Sequence, residues 1–200
     1  MVRQDRARRT RERILDAAAQ ELAANGYART TMQDVAGRIG MTKGALYGHF
    51  ASKEVLAQAL TEHAQAAIDE LCADRAGAAR PMEALAGFTS ALGRCLHEDV
   101  RVRAVFRLQL DDREAAPAPR GRLLGQLVEH LLGLLGRARQ QGLLSVEHDP
   151  EDVAQLLLAV AFTVHYGPFP RSGHESARWT AFAWGLVARA LAPEGRGTTE

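Results

Sequence analysis

TTMQDVAGRIGMTKGALYGHFASKEVLAQAL, residues 30–60, holds two short helical segments on either side of a glycine. Thr31 stands as an N-cap with Asp34 three positions on, close to a capping box, and Met32, Val35, Ala36 and Ile39 then repeat at helical spacing. Gly40 ends that helix. After Met41, Thr42 is placed to cap a third helix reaching Phe50, and Ser52 a fourth reaching about Leu71. Two short helices meeting at a tight turn are the arrangement that lays the second helix in a DNA major groove.

Stepping 100° per residue from Thr42 turns Leu46 and Phe50 toward a core. It leaves Gly44, Ala45 and Gly48 opposite, with Lys43 and Tyr47 on one flank and His49 on the other. Such an outer face does not favour a helix for its own sake, since glycine costs about 0.8–1.0 kcal/mol relative to alanine inside one. Close approach to a groove floor is a reason to keep it small: Ala45 can meet a thymine methyl and Lys43 can donate to guanine O6/N7. Thr42, Tyr47, Lys53 and the helix start at Ser52 are placed to donate to phosphates. Tyr47 has a second reading, as a half-buried aromatic on the first helix, and the two roles are compatible.

Working outward, Ile14, Ala18 and Leu22 share one face of a first helix opposite Arg13, Asp16 and Gln20, and Gly26 closes it. Beyond a break at 73–81, helices are expected at about 82–97, 100–111, 120–141, 150–166 and 174–191, with Pro/Gly loops at 111–119 and 167–173. The expected fold is therefore all-α, about nine helices in two parts. A three-helix head occupies residues 8–68, with its helix-turn-helix at about 31–50, and a larger helical body occupies 73–193.

Charge supports that division. Residues 1–56 carry ten Lys/Arg against six Asp/Glu, while 57–200 carry fifteen against eighteen, which suits a polyanion at one end. The seven histidines (49, 63, 97, 130, 148, 165, 174) are scattered singly, with no nucleophile elbow and no glycine-rich phosphate loop, so an enzyme is not expected. Cys72 and Cys95 fit no metal spacing, and no metal or cofactor is expected. No apolar run spans a membrane and MVRQDRARRTRER is no secretion signal, so a cytoplasmic protein is expected.

The 30–60 stretch resembles the DNA-binding signature of the TetR family. Thr31, Val35, Ala36, Gly40, Thr42, Gly44, Leu46, Tyr47, His49, Phe50, Lys53 and Leu56 match its pattern position by position. The resemblance implies a homodimeric regulator that binds DNA through Thr31, Thr42, Lys43, Gly44, Ala45, Tyr47, His49 and Lys53, with phosphate contacts at Thr42, Tyr47, His49 and Lys53 and base-proximal residues from Lys43 to Ala45. MVRQDRARRTRERI, TKGALYGHF and VRAVFRLQL at 102–110 also resemble the gamma-butyrolactone receptors of streptomycetes. Those receptors carry a pocket tryptophan on the long central helix where this chain has Leu127.

In that family the body binds a small effector and the last two long helices pair with a second subunit. Helices 150–166 and 174–191 are apolar over a wide arc and suit such a pairing. Phe88, Leu92, Phe106, Leu127, Leu131 and Phe162 are expected to line a pocket, with Gln109 or His130 orienting the ligand; each is also an ordinary core position. Repression of an operator on double-stranded DNA, relieved by a small-molecule effector such as a butyrolactone-type or other hydrophobic signal, is the expected function. The alternative is an architectural DNA-binding protein that recruits a protein partner.

Overall fold

A computed structural model describes residues 2–73, 80–111, 122–145, 147–166 and 173–192. Among them all regular structure is helical: α1 (Val2–Arg29), α2 (Met32–Arg38), α3 (Lys43–Tyr47), α4 (Lys53–Cys72), α5 (Pro81–Glu98), α6 (Val100–Asp111), α7 (Arg122–Gln140), α8 (Pro150–Tyr166) and α9 (Gly173–Leu191). Of the loops expected at 111–119 and 167–173, Asp111 ends α6 and Gly173 begins α9, and the rest lies outside the described residues. No described helix is long and apolar enough to cross a membrane.

Residues cluster into two compact units. The first comprises 1–67 and 98–121, the second 68–97 and 122–200. The sequence reading divided the chain once, near residue 70; the structure groups α6 with the head, because α1 packs along it.

In the first unit, Ile14, Leu15, Ala18 and Leu22 of α1 are buried with Met32, Val35 and Ala36 of α2, Leu46, Phe50, and Leu56, Leu60 and Ala64 of α4. Burying each Ile, Leu or Phe side chain contributes about 1.5–3 kcal/mol. That is why one apolar stripe suffices to gather helices too short to be stable alone. Gly26 breaks α1 as expected, at φ 73° and ψ 173°, and one further turn follows it to Arg29. Arg101 of α6 spans back to α1, donating to Oε2 of Glu12 (2.7 Å) and Oδ1 of Asp16 (2.8 Å). Burial works against its charge and the two carboxylates overcome that, so its pKa is raised.

The second unit is built on a leucine seam. Leu123, Leu127, Leu131, Leu134, Leu135 and Ala138 form the buried face of α7; Leu85, Phe88, Leu92 and Leu96 form that of α5. Helices α8 and α9 add Val153, Ala154, Leu157, Ala161 and Ala183. A side chain at Gly93 would meet Thr180 Oγ1 at 3.4 Å, so α5 and α9 approach closely there. Ser145 N–H donates to the carbonyl of Leu191 (3.0 Å), tying the segment after α7 to the end of α9.

Candidate nucleic-acid interface

The turn between α2 and α3 follows from its backbone bonds. Gly40 takes φ 66°, the left-handed conformation that glycine adopts without strain. The N–H of Met41 then reaches Ala36 O (2.9 Å) and that of Gly40 reaches Gly37 O (3.2 Å), the paired bonds of a Schellman cap. At the other end of α2 the capping box is complete. Thr31 Oγ1 donates to Asp34 Oδ2 (2.7 Å) and accepts from Asp34 N (3.2 Å), while Thr31 N donates to Asp34 Oδ2 (2.9 Å). Those bonds hold the Asp34 carboxyl below the usual range. The hydroxyl proton of Thr31 is therefore spent on its own helix.

Arg38 secures α2 against α1: its Nε donates to Glu21 Oε1 (2.6 Å), and Asn25 donates to the other oxygen of the same carboxylate (2.8 Å). Glu21 is buried, and these bonds compensate its desolvation.

Helix α3 is shorter than the sequence suggested. It was expected to run to Phe50, but it spans Lys43–Tyr47, and the chain turns at Gly48 and His49. The N–H groups of His49 and Phe50 both return to Leu46 O, at 2.9 and 3.0 Å, and so release the helix while keeping Phe50 inward. Leu46 and Phe50 are 0% and 1% exposed, so the core-facing assignment holds although the helix ends between them. The guanidinium of Arg11 covers the Phe50 ring, 4.4 Å from its centre. Arg11 had not been singled out; it stands at i−3, i−7 and i−11 from Ile14, Ala18 and Leu22, on their stripe, and that spacing was the available signal.

The rest of α3 faces outward. Thr42, Lys43, Gly44, Ala45, Tyr47 and Gly48 are exposed and His49 is half-buried. Thr42 Oγ1 accepts from Ala45 N (3.2 Å), which leaves its hydroxyl proton to donate elsewhere. Lys43 Nζ stands 5.8 Å from the Tyr47 ring centre, at the outer reach of a cation–π contact. Side chains added at Gly37 or Gly44 would meet nothing within 4 Å, so the protein itself does not require glycine for space at either position.

Lys53 is placed differently from the others. Its Nζ donates to the carbonyls of Tyr27 (2.8 Å) and Thr30 (3.0 Å) and lies 4.1 Å from the Tyr27 ring centre. Tyr27 in turn donates its hydroxyl to Glu54 Oε1 (3.2 Å). Burial, then the Glu54 charge and this bond, push the Tyr27 phenol up to about 12. Ser52 caps α4 as expected, accepting from Val55 N (3.3 Å).

The residues expected to line an effector pocket fall in both units. Phe106 and Gln109 belong to the first, where Phe106 is buried and Gln109 Oε1 is buried without a hydrogen-bond partner. Phe88, Leu92, Leu127, His130, Leu131 and Phe162 belong to the second. There the rings of Phe88 and His130 lie 4.6 Å apart, Leu92, Leu127 and Leu131 are buried, and Phe162 is partly exposed. A separate void of about 10 Å³, enough for a single water, lies among α5, α8 and α9 and is lined by Thr89, Leu157, Thr180 and Trp184. None of these four was expected at a pocket.

Comparison with known proteins points the same way. Residues 14–60 match the model of the family described as bacterial regulatory proteins, tetR family. The chain is 30% identical over 163 residues to the HTH-type transcriptional repressor BepR of Brucella suis, covering 77% of this chain and 78% of that one. It is 29% identical over 160 residues to the A-factor receptor protein of Streptomyces griseus, covering 80% of this chain and 55% of the receptor. The chain thus spans about half the length of that relative. The structure of the TetR family protein CprB from Streptomyces coelicolor, solved with its biological operator sequence, superposes with a TM-score of 0.75 at 30% identity, covering 94% of this chain and 91% of that one.

Proposed function

From the premise that this chain belongs to the TetR family, we propose that it is a homodimeric transcriptional repressor that binds an operator through α3 and releases it to a small hydrophobic effector. The observation that carries the reading is the outer face of α3, where Lys43, Gly44, Ala45 and Tyr47 stand exposed on a helix anchored by the buried Leu46. Its small side chains suit entry into the major groove, where Lys43 would donate to a guanine edge. Thr42, Tyr47, His49 and the backbone around Thr31 would hold the flanking phosphates.

Pairing through α8 and α9 is supported by their uncovered apolar side chains: Leu156, Phe182 and Leu186 are 49%, 62% and 47% exposed. Two copies related by a two-fold axis would cover them and set two α3 helices about 34–36 Å apart, one turn of DNA. The effector is assigned to the helical body, where the apolar side chains around Phe88, Leu127 and Leu131 and the imidazole of His130 offer mixed contacts. Likeness to a solved gamma-butyrolactone receptor, with a TM-score of 0.81 at 28% identity over 96% of this chain and 92% of that one, supports a butyrolactone-type signal. An effector that favours another separation of the two α3 helices would release the DNA.

The test is selection of duplexes from a random pool by the wild-type protein, followed by Tyr47→Ala and Lys43→Ala on the recovered sequence. Both variants are expected to lose affinity while the dimer persists; undiminished binding by both would overturn the assignment of α3. Release of the duplex by small-molecule extracts would then identify the effector.

A further inference from the structure

We propose that Lys53 is a positioning residue for operator binding, holding the α1–α2 junction against the start of α4, and that it does not serve as a phosphate ligand. The proposal rests on the DNA-binding reading above. An ammonium has three N–H donors. Two are placed on the carbonyls of Tyr27 and Thr30 at 2.8 and 3.0 Å, and the Tyr27 ring face lies against the charge at 4.1 Å. That leaves one N–H for a phosphate, with the Tyr27 ring face competing for the charge. Lys43, by comparison, stands exposed with its ammonium 5.8 Å from one ring.

What Lys53 holds is the point from which α2 and α3 are hung. Thr30 is 1% exposed and its hydroxyl donates back to Gly26 O at 2.8 Å, across the break that ends the main run of α1. Thr31 follows directly as the cap of α2. Because backbone bonds fix the Gly40 turn to α2, and α3 follows two residues on with Leu46 buried in the same core, a small rotation at Thr30 is carried to Lys43 and Tyr47 at the far end. The cation also sits at the carbonyl end of α1, where the helix dipole favours positive charge. Tyr27 closes the arrangement by donating to Glu54, the residue next to Lys53 on α4.

The experiment compares wild type with Lys53→Met, which keeps most of the aliphatic stem. Each protein is titrated, well below its melting temperature, with a duplex selected by the wild type and with a scrambled duplex, across a salt series. Lys53→Met is expected to lose about ten-fold or more on the selected duplex, the loss that one misplaced base contact brings. The scrambled duplex should be bound as before, and the slope of log K against log salt should not change. A phosphate ligand would instead make the slope shallower by about 0.9 per contact and weaken both duplexes together, overturning the proposal. So would a lower melting temperature with unaltered affinity of the folded protein, which marks a structural role alone. If Lys53→Met does not fold, Lys53→Arg carries the test. It keeps a charge available to phosphate but replaces the tetrahedral ammonium with a planar fork. A lowered selected-to-scrambled ratio supports positioning, and a wild-type ratio overturns it. Failure of the underlying reading is separate, since the wild type would then recover no duplex at all.

Discussion

Nε2 of His63 lies 2.7 Å from Oδ2 of Asp99, joining α4 to the residue that opens α6. The other oxygen of Asp99 accepts the N–H groups of Arg101 (2.8 Å) and Val102 (3.1 Å), so one carboxylate both caps a helix and ties it to a neighbour.

This carboxylate gives the protein an acid-sensitive joint. Burial would raise the Asp99 pKa, but the bonds from His63, Val102 and Arg101, together with the His63 charge, outweigh burial and leave it lowered. A carboxyl depressed in the fold adds stability that is present above its unfolded value of about 3.9 and is lost as pH falls through the folded value. Urea melts of wild type and Asp99→Asn from about pH 5 to pH 3 should therefore converge, with a shallower acid limb in the variant. Parallel limbs would show that Asp99 titrates alike folded and unfolded.

Thr31→Ala removes the side-chain half of the capping box and should cost about 1 kcal/mol, within the usual range of about 0.5–2. Thr31→Ser should recover most of it, because the hydroxyl that meets Asp34 at 2.7 Å is kept. The measurement is the urea midpoint at unchanged m-value; equal midpoints for the Ala and Ser variants would rule out the cap as the source.

The comparison of sequence with structure divides along a physical line. Helices α5 to α9 could be read because proline, glycine and apolar spacing are local signals, and the Gly40 turn for the same reason. The end of α3 could not. Leu46 and Phe50 keep helical spacing whether the chain continues as helix or turns out at Gly48, and both outcomes bury the two side chains. The commitment of Lys53 was hidden for another reason: its acceptors lie 23 and 26 residues back, and no spacing rule links an ammonium to distant carbonyls. The grouping of α6 with the head was equally out of reach, since Arg101 meets Glu12 across 89 residues.

Phe182, the most exposed large apolar side chain among the described residues of α8 and α9, offers the clearest test of the proposed pairing surface. Phe182→Glu would place a charge in a desolvated contact, and an anchor of this kind is worth about 2 kcal/mol or more, roughly thirty-fold in dimer dissociation. Sedimentation velocity over a dilution series should show the variant dissociating at concentrations where wild type remains paired, with helical content retained. A dimer of unchanged affinity would move the interface away from α9.

Gly44 allows the demand of the fold to be separated from the demand of the DNA. An added methyl there meets nothing within 4 Å, and the position is exposed at the start of α3. Alanine is the better helix former by up to about 1 kcal/mol, so Gly44→Ala should leave the melting temperature unchanged or raise it. If α3 approaches the groove floor as closely as its small outer face suggests, the same methyl should lower affinity for the selected duplex about ten-fold or more. Gly37→Ala, equally open but on α2, is the control and should bind as wild type does. Full affinity in Gly44→Ala would mean that α3 keeps its distance from the bases, and that specificity rests on Lys43, DNA shape and the spacing of two half-sites.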